Sequence, residues 1–126
     1  MSVSVLLIDD DPVFRRLARR TLARTAMIVV GEAGTAEAGV SAARELKPDV
    51  VLVDVGLPDG DGVTLAHELS GLPWGPRIVL TSVEPDAASP EDVERSGAAG
   101  FIPKEDLPGR GIQLMQDGAQ PGDSPG

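Results

Sequence analysis

The feature that most constrains this chain is a set of short aliphatic runs, each cut off by a charged or hydroxyl side chain. Val5 to Ile8 is continuously apolar and stops at Asp9, Asp10 and Asp11. Val50 to Val53 stops at Asp54, and Ile78 to Thr81 stops at Ser82. A last run, centred on Phe101 and Ile102, passes through Pro103 to Lys104. Such runs suit strands buried on both faces. Met27 to Val30, closed by Gly31, predicts one more strand. The segments between them carry helical spacing instead. From Val13 to Arg24, Val13, Phe14, Leu17, Ala18 and Leu22 recur at helical intervals, with Arg15, Arg16, Arg19, Arg20 and Arg24 on the opposite side. Thr35 to Leu46 predicts a second helix ended by Lys47-Pro48, and Val63 to Ser70 a third. Strands alternating with helices in this way give an α/β fold, a doubly wound five-stranded parallel sheet with helices on both faces.

Local signals sharpen the ends of these elements. Asp11 before Pro12 is a helix N-cap followed by proline at the first helical position. After the irregular stretch VEPDAASP, Ser89-Pro90-Glu91-Asp92 predicts a capping box opening a short fourth helix that ends before Gly97. From Pro108 onward eight of nineteen residues are Gly or Pro, and only Ile112, Leu114 and Met115 can pack. The fifth helix is therefore expected to be weak or truncated and the last ten residues disordered. The expected division is one domain over 1–107, then 108–126 as a weak last helix and tail.

Hydrophobic residues make up 41% of the chain and aromatics 2%, so the core must be aliphatic. The absence of Cys excludes disulfide scaffolds and thiolate metal sites, and a single His excludes His-cluster metal sites. A net charge of -9 opposes nonspecific binding to nucleic acid or to an anionic membrane surface. No apolar run approaches the ~20 residues that span a bilayer. The start, MSVSVLLIDDD, has no basic leader. A cytoplasmic location is the expectation.

In an open parallel sheet, ligands bind beyond the carboxyl ends of the strands. Asp9, Asp10, Asp54, Ser82 and Lys104 all stand there. Carboxylates converging on one crevice repel unless a cation joins them, and an all-oxygen site suits a hard divalent ion, Mg²⁺ above all. A lysine and a hydroxyl opposite such a site form a cradle for a phosphoryl group. Each residue taken alone has a blander reading. An Asp-Asp-Asp run is commonly a solvated loop, and Lys104 beside Glu105 and Asp106 can be a surface ion pair. His67 reads as a solvated residue and Trp74 as a local packing anchor. The combination points to metal-assisted phosphoryl chemistry.

Four segments, LLIDDDP, PDVVLVDVGLPDGDG, RIVLTS and GAAGFIPK, resemble the receiver domain of bacterial two-component response regulators over roughly Val3 to Leu107. The grain of GEAGTAEAG leading to KPDVVLVD is similar to NarL/FixJ-type receivers, often joined to helix-turn-helix output domains. The resemblance implies the CheY-like, flavodoxin-like strand order 2-1-3-4-5. It implies Asp54 as the phospho-acceptor, taking its phosphoryl group from a sensor histidine kinase or histidine phosphotransfer protein. Asp10, Asp54 and the Gly56 backbone carbonyl would bind Mg²⁺, with Asp9 acting through water. Lys104 would pair with the phosphoryl oxygens. Ser82, with Thr81 as its rival, would supply the switch hydroxyl, and Phe101 the aromatic that follows the switch. The first helix, with Arg15, Arg16 and Arg19, would dock the phosphodonor.

A delayed fourth helix and a truncated fifth depart from the family pattern on the usual output face. The expectation is a stand-alone receiver that catalyses its own phosphorylation and dephosphorylation without being a conventional enzyme, and that signals to an unknown downstream protein. Two rivals are a phosphorylation-independent interaction module and a phosphate sink or relay without its own output. A nucleotide-binding enzyme is disfavoured, because the chain has no Gly-rich loop ending in Lys-Ser or Lys-Thr and no G-x-G-x-x-G.

Overall fold

The computed structural model describes residues 2–117. Its strands in chain order are β1 (Val3–Ile8), β2 (Met27–Ala33), β3 (Val50–Asp54), β4 (Gly56–Leu57), β5 (Gly60–Asp61), β6 (Arg77–Ser82) and β7 (Gly100–Pro103). Five of them form one parallel sheet in the order β2-β1-β3-β6-β7, while β4 and β5 make a small antiparallel hairpin. Counting only the strands of the large sheet, this is the order 2-1-3-4-5 that the resemblance implies.

Strand alternation sorts the aliphatic runs into two cores. Val5, Leu7, Val50, Leu52, Val79 and Ile102 face one side, where they meet Phe14, Ala18 and Leu22 of α1 (Pro12–Leu22) and Met115 of α5 (Ile112–Gln116). Leu6, Ile8, Val51, Val53, Ile78 and Leu80 face the other side. There they pack against α2 (Ala36–Leu46), α3 (Gly62–Ser70) and, through its half-buried Val93, α4 (Pro90–Ser96). Central strands with both faces covered must be apolar at every position, and this is why these runs show no alternation in sequence.

The helix starts follow their caps. Asp11 accepts from the Val13 amide, Thr35 from Ala38, and Asp61 from Val63. Ser89 and Asp92 close the expected capping box on α4, and Gly97 ends that helix at φ 76, a left-handed angle that favours glycine. Trp74 donates its ring N–H to the Pro48 carbonyl at 3.0 Å, a local anchor, and His67 is exposed.

Two expectations need correcting. The apolar stripe of α1 is narrower than the sequence predicts, because Val13 is 67% exposed and Leu17 50% exposed. The residues that reach the sheet are four apart, and Val13 and Leu17 lie one step around the helix from them. The second strand does not close at Gly31 but runs on to Ala33, after an irregularity that leaves Val30 outside the pairing register. The fifth helix is truncated as expected, since from Lys104 onward the described chain runs through a 3₁₀ turn over Lys104–Asp106, a π-helical turn over Leu107–Gly111, and the five-residue α5. Leu107 and Met115 are fully buried there, and Arg77 Nε holds the Leu114 carbonyl at 2.7 Å. The expected disorder of the Gly/Pro-rich tail concerns residues that lie, from 118 onward, outside those described.

Candidate functional site

The acidic site forms where β1 and β3 run out side by side in the middle of the sheet. Leu7 pairs with Leu52 and Ile8 with Val53, so the next residues, Asp9 and Asp54, emerge on the same face. Asp9 is 2% exposed and Asp54 7%, whereas Asp10 is open to solvent. Ligand oxygens of Asp9, Asp10 and Asp54 all lie within 4.8 Å of one another.

Lys104, at the end of β7, reaches across to this cluster. Its Nζ lies 2.8 Å from Asp9 Oδ2 and 3.6 Å from Asp54 Oδ2. The same ammonium sits 4.5 Å above the centroid of the Phe14 ring. Asp9 Oδ1 accepts from the Asp11 amide and Asp54 Oδ1 from the Gly56 amide, which folds both loops around the carboxylates. Asp9 Oδ2 makes the ion pair but no hydrogen bond of good geometry.

Burial raises the Asp9 carboxyl above its usual range, helped by the charge of Asp54 and opposed by Lys104 and the Asp11 amide. For Lys104, burial alone would lower the ammonium, but its contact with Asp9 and the charges of Asp9, Asp54 and Asp11 outweigh it and raise it. An isolated salt bridge would lower the acid. Here one cation is shared by two buried carboxylates, and desolvation wins at Asp9.

The two rival hydroxyls take different places. Thr81 is the register partner of Asp54, so its side chain leaves the sheet on the Asp54 face. It is fully buried, and its Oγ1 has no hydrogen-bond partner among the described residues. Ser82 comes one step later on the opposite face, and its Oγ already accepts from the Glu84 amide at 3.1 Å. Phe101 is half-buried against the α2–α3–α4 core. Gly56, whose carbonyl is the expected metal ligand, is exposed in the hairpin after Asp54.

Several contributions were not visible in the sequence reading. Gly62 packs so tightly beneath Asp54 that a Cβ there would run into the Asp54 carbonyl oxygen and come within 2.6 Å of Val55 Cα. Asp59 ties the same loop to α2 by accepting from the Ala36 amide at 2.6 Å and the Glu37 amide at 3.1 Å. Repeated glycines and acids in GLPDGDG were the only signal of these roles. Of the arginines assigned to docking, Arg15 and Arg19 are bound to Glu32, and Arg15 also donates to the Asp9 carbonyl at 2.6 Å. Arg16 remains exposed, together with Arg20 and Arg24.

A carboxylate cluster at one end of the sheet thus has a lysine laid across it. The response regulator receiver domain family matches residues 5–115. The chain belongs to this family. The receiver is 34% identical over 120 residues to a Bacillus subtilis protein named as an uncharacterized transcriptional regulatory protein, YxjL, covering 94% of this chain and 55% of that one. It is 38% identical over 105 residues to the Mycobacterium tuberculosis DNA-binding transcriptional activator DevR/DosR, covering 82% of this chain and 48% of that one. The chain thus spans about half the length of these relatives. Among solved structures, the signal receiver domain of the putative response regulator NarL from Mycobacterium tuberculosis matches with TM-score 0.81 and 30% identity, over 94% of this chain and 96% of that one. Receiver domains of this family interact with histidine kinases and bind Mg²⁺ at an acidic pocket. Among the described residues no helix is long and apolar enough to cross a membrane.

Proposed function

We propose that this receiver takes a phosphoryl group onto Asp54 from a histidine kinase or histidine phosphotransfer protein, in a Mg²⁺-dependent reaction, and passes the change on through protein contacts. The observation that carries this reading is the reach of Lys104 to both Asp9 and Asp54 beside the exposed Asp10. Three carboxylates with ligand oxygens within 4.8 Å of one another fit a hard divalent cation. Asp10, Asp54 and the Gly56 carbonyl would hold it, with Asp9 through water. When bound, the ion offsets charge on the phosphoryl oxygens.

Asp54 is the nucleophile. One of its oxygens forms the new bond to phosphorus while the bond to the donor's imidazole nitrogen breaks, and the electron pair leaves with that nitrogen. A carboxylate needs no general base for this step. Lys104 then balances the added negative charge from its place 3.6 Å from Asp54. Water later cleaves the acyl phosphate and resets the site.

Of the two hydroxyls, Thr81 rather than Ser82 is our choice for the group that answers the phosphoryl, and this revises the expectation from the sequence. What supports it is its register beside Asp54 and a buried hydroxyl free of any other bond among the described residues. Capture of Thr81 Oγ1 by a phosphoryl oxygen would draw in the end of β6 and the loop after it, with Phe101 following. The phosphodonor would dock on α1 through exposed Val13 and Leu17, with Arg16 and Arg20 at the rim. A domain core over 1–107 completed by α5 and a cytoplasmic location belong to the same proposal.

The test is chemical. After incubation with acetyl phosphate and Mg²⁺, borohydride reduces an aspartyl phosphate to homoserine. Peptide mapping should place homoserine at position 54 and nowhere else. Homoserine at position 9 or 10 with none at 54 would overturn the assignment.

A further inference from the structure

The core of this protein is aliphatic, and Phe14 is one of only two phenylalanines in a chain with no tyrosine. The other members of its cluster are aliphatic or methionine side chains, so Phe14 is the one ring among them. The ring lies under the one cation of the acidic site. It is 6% exposed, on the first turn of α1, with the Lys104 ammonium 4.5 Å above its centroid. That is well inside the range at which a ring face attracts an ammonium.

We infer that Phe14 is a positioning residue for Lys104, holding the ammonium by its ring face within reach of both carboxylates so that it stays available to the phosphoryl group. The inference rests on the reading of Asp54 and Lys104 given above. Without the ring, the strongest remaining attraction on Lys104 is Asp9, at 2.8 Å against 3.6 Å for Asp54. The ammonium already touches Asp9, and turning wholly to that side would leave Asp54 without its cation. A ring face attracts without using up any of the three ammonium donors. Lys104 can therefore swing towards arriving phosphoryl oxygens while keeping its footing. Because the ring stands on α1, a partner that shifts this helix would also shift the cation.

The experiment compares wild type, Phe14→Leu, and a protein carrying 3,4,5-trifluorophenylalanine at position 14, which keeps the ring's shape and weakens its attraction for cations. The first readout is NMR of the unphosphorylated protein. The Lys104 ε-methylene protons should lie upfield in wild type, under the ring current, and return towards ordinary lysine positions in Phe14→Leu. The second is the rate of phosphorylation by acetyl phosphate at fixed Mg²⁺. It should fall about three- to tenfold in Phe14→Leu and to an intermediate degree in the fluorinated protein.

A purely structural role would leave the fluorinated protein at the wild-type rate, and that result would overturn the proposal. Ordinary Lys104 shifts in wild type would overturn it too. If Phe14→Leu does not fold, the isosteric fluorinated ring carries the comparison. If wild type takes up no phosphoryl group, the reading of Asp54 fails while the Lys104 spectrum still decides the role of Phe14.

Discussion

The acidic end of the sheet and the face made by the loop after β6, α4, β7 and α5 are built in opposite ways. Asp9 follows β1 and Asp54 ends β3, each of these strands is bonded to a strand on either side, and every residue of Val50–Asp54 is buried. The other region rests on an edge strand, a seven-residue helix and a five-residue helix. Its order comes from individual devices: the Ser89–Asp92 capping box, the left-handed Gly97, and the grip of Arg77 on the Leu114 carbonyl. A site locked into a ladder holds charges in fixed positions, while a region held by caps can change shape for a small free energy. The comparison therefore assigns chemistry to the first region and response to the second.

The sharpest way to break this contrast is to disturb the rigid end. Gly62→Ala should cost about 2–4 kcal/mol of stability, because the added Cβ meets backbone and not a yielding side chain. It should also displace the Asp54 carbonyl, which urea denaturation and Mg²⁺ titration would show together. An unchanged midpoint would mean that the loop after Asp54 is as compliant as the output face.

A cap on the compliant side should matter less. Ser89→Ala removes one half of the capping box and is expected to cost about 1 kcal/mol. Faster amide exchange should be confined to α4, with phosphorylation chemistry intact.

The acidic end also carries a pH signature. The folded value of Asp9 lies above 3.8, so in the window just above 3.8 the folded state keeps a proton that the unfolded chain has released. Asp9 therefore makes the metal-free protein less stable as pH rises through that window. Asp9→Asn should remove that contribution, so the difference in urea midpoint between variant and wild type grows in the variant's favour with rising pH. A constant difference would contradict the burial argument. The smallest effect is expected from Thr81→Val. Deleting a buried hydroxyl with no partner among the described residues should leave stability unchanged or raise it by up to ~1 kcal/mol, while the response of α4 amides to phosphorylation is lost.

Much of this was legible because central parallel strands must be apolar on both faces, and the runs ending at Asp9 and Asp54 announce both sheet and site. The face of α1 was half legible. Val13 and Leu17 look like core in a periodic pattern, and nothing local shows that the sheet touches only the row of Phe14, Ala18 and Leu22. The aliphatic run that stops at Ser82 favours that residue, but only strand pairing shows that Thr81 lies level with Asp54. Asp59 capping α2 and Phe14 beneath Lys104 are contacts between distant segments, which residue spacing does not encode.

The most direct test is intact-mass spectrometry of the protein after incubation with acetyl phosphate, with and without Mg²⁺, beside Asp54→Asn. The account predicts the gain of one phosphoryl group in wild type that needs Mg²⁺ and is absent from the variant. Equal labelling of Asp54→Asn, or no labelling of folded wild type under either condition, would contradict it.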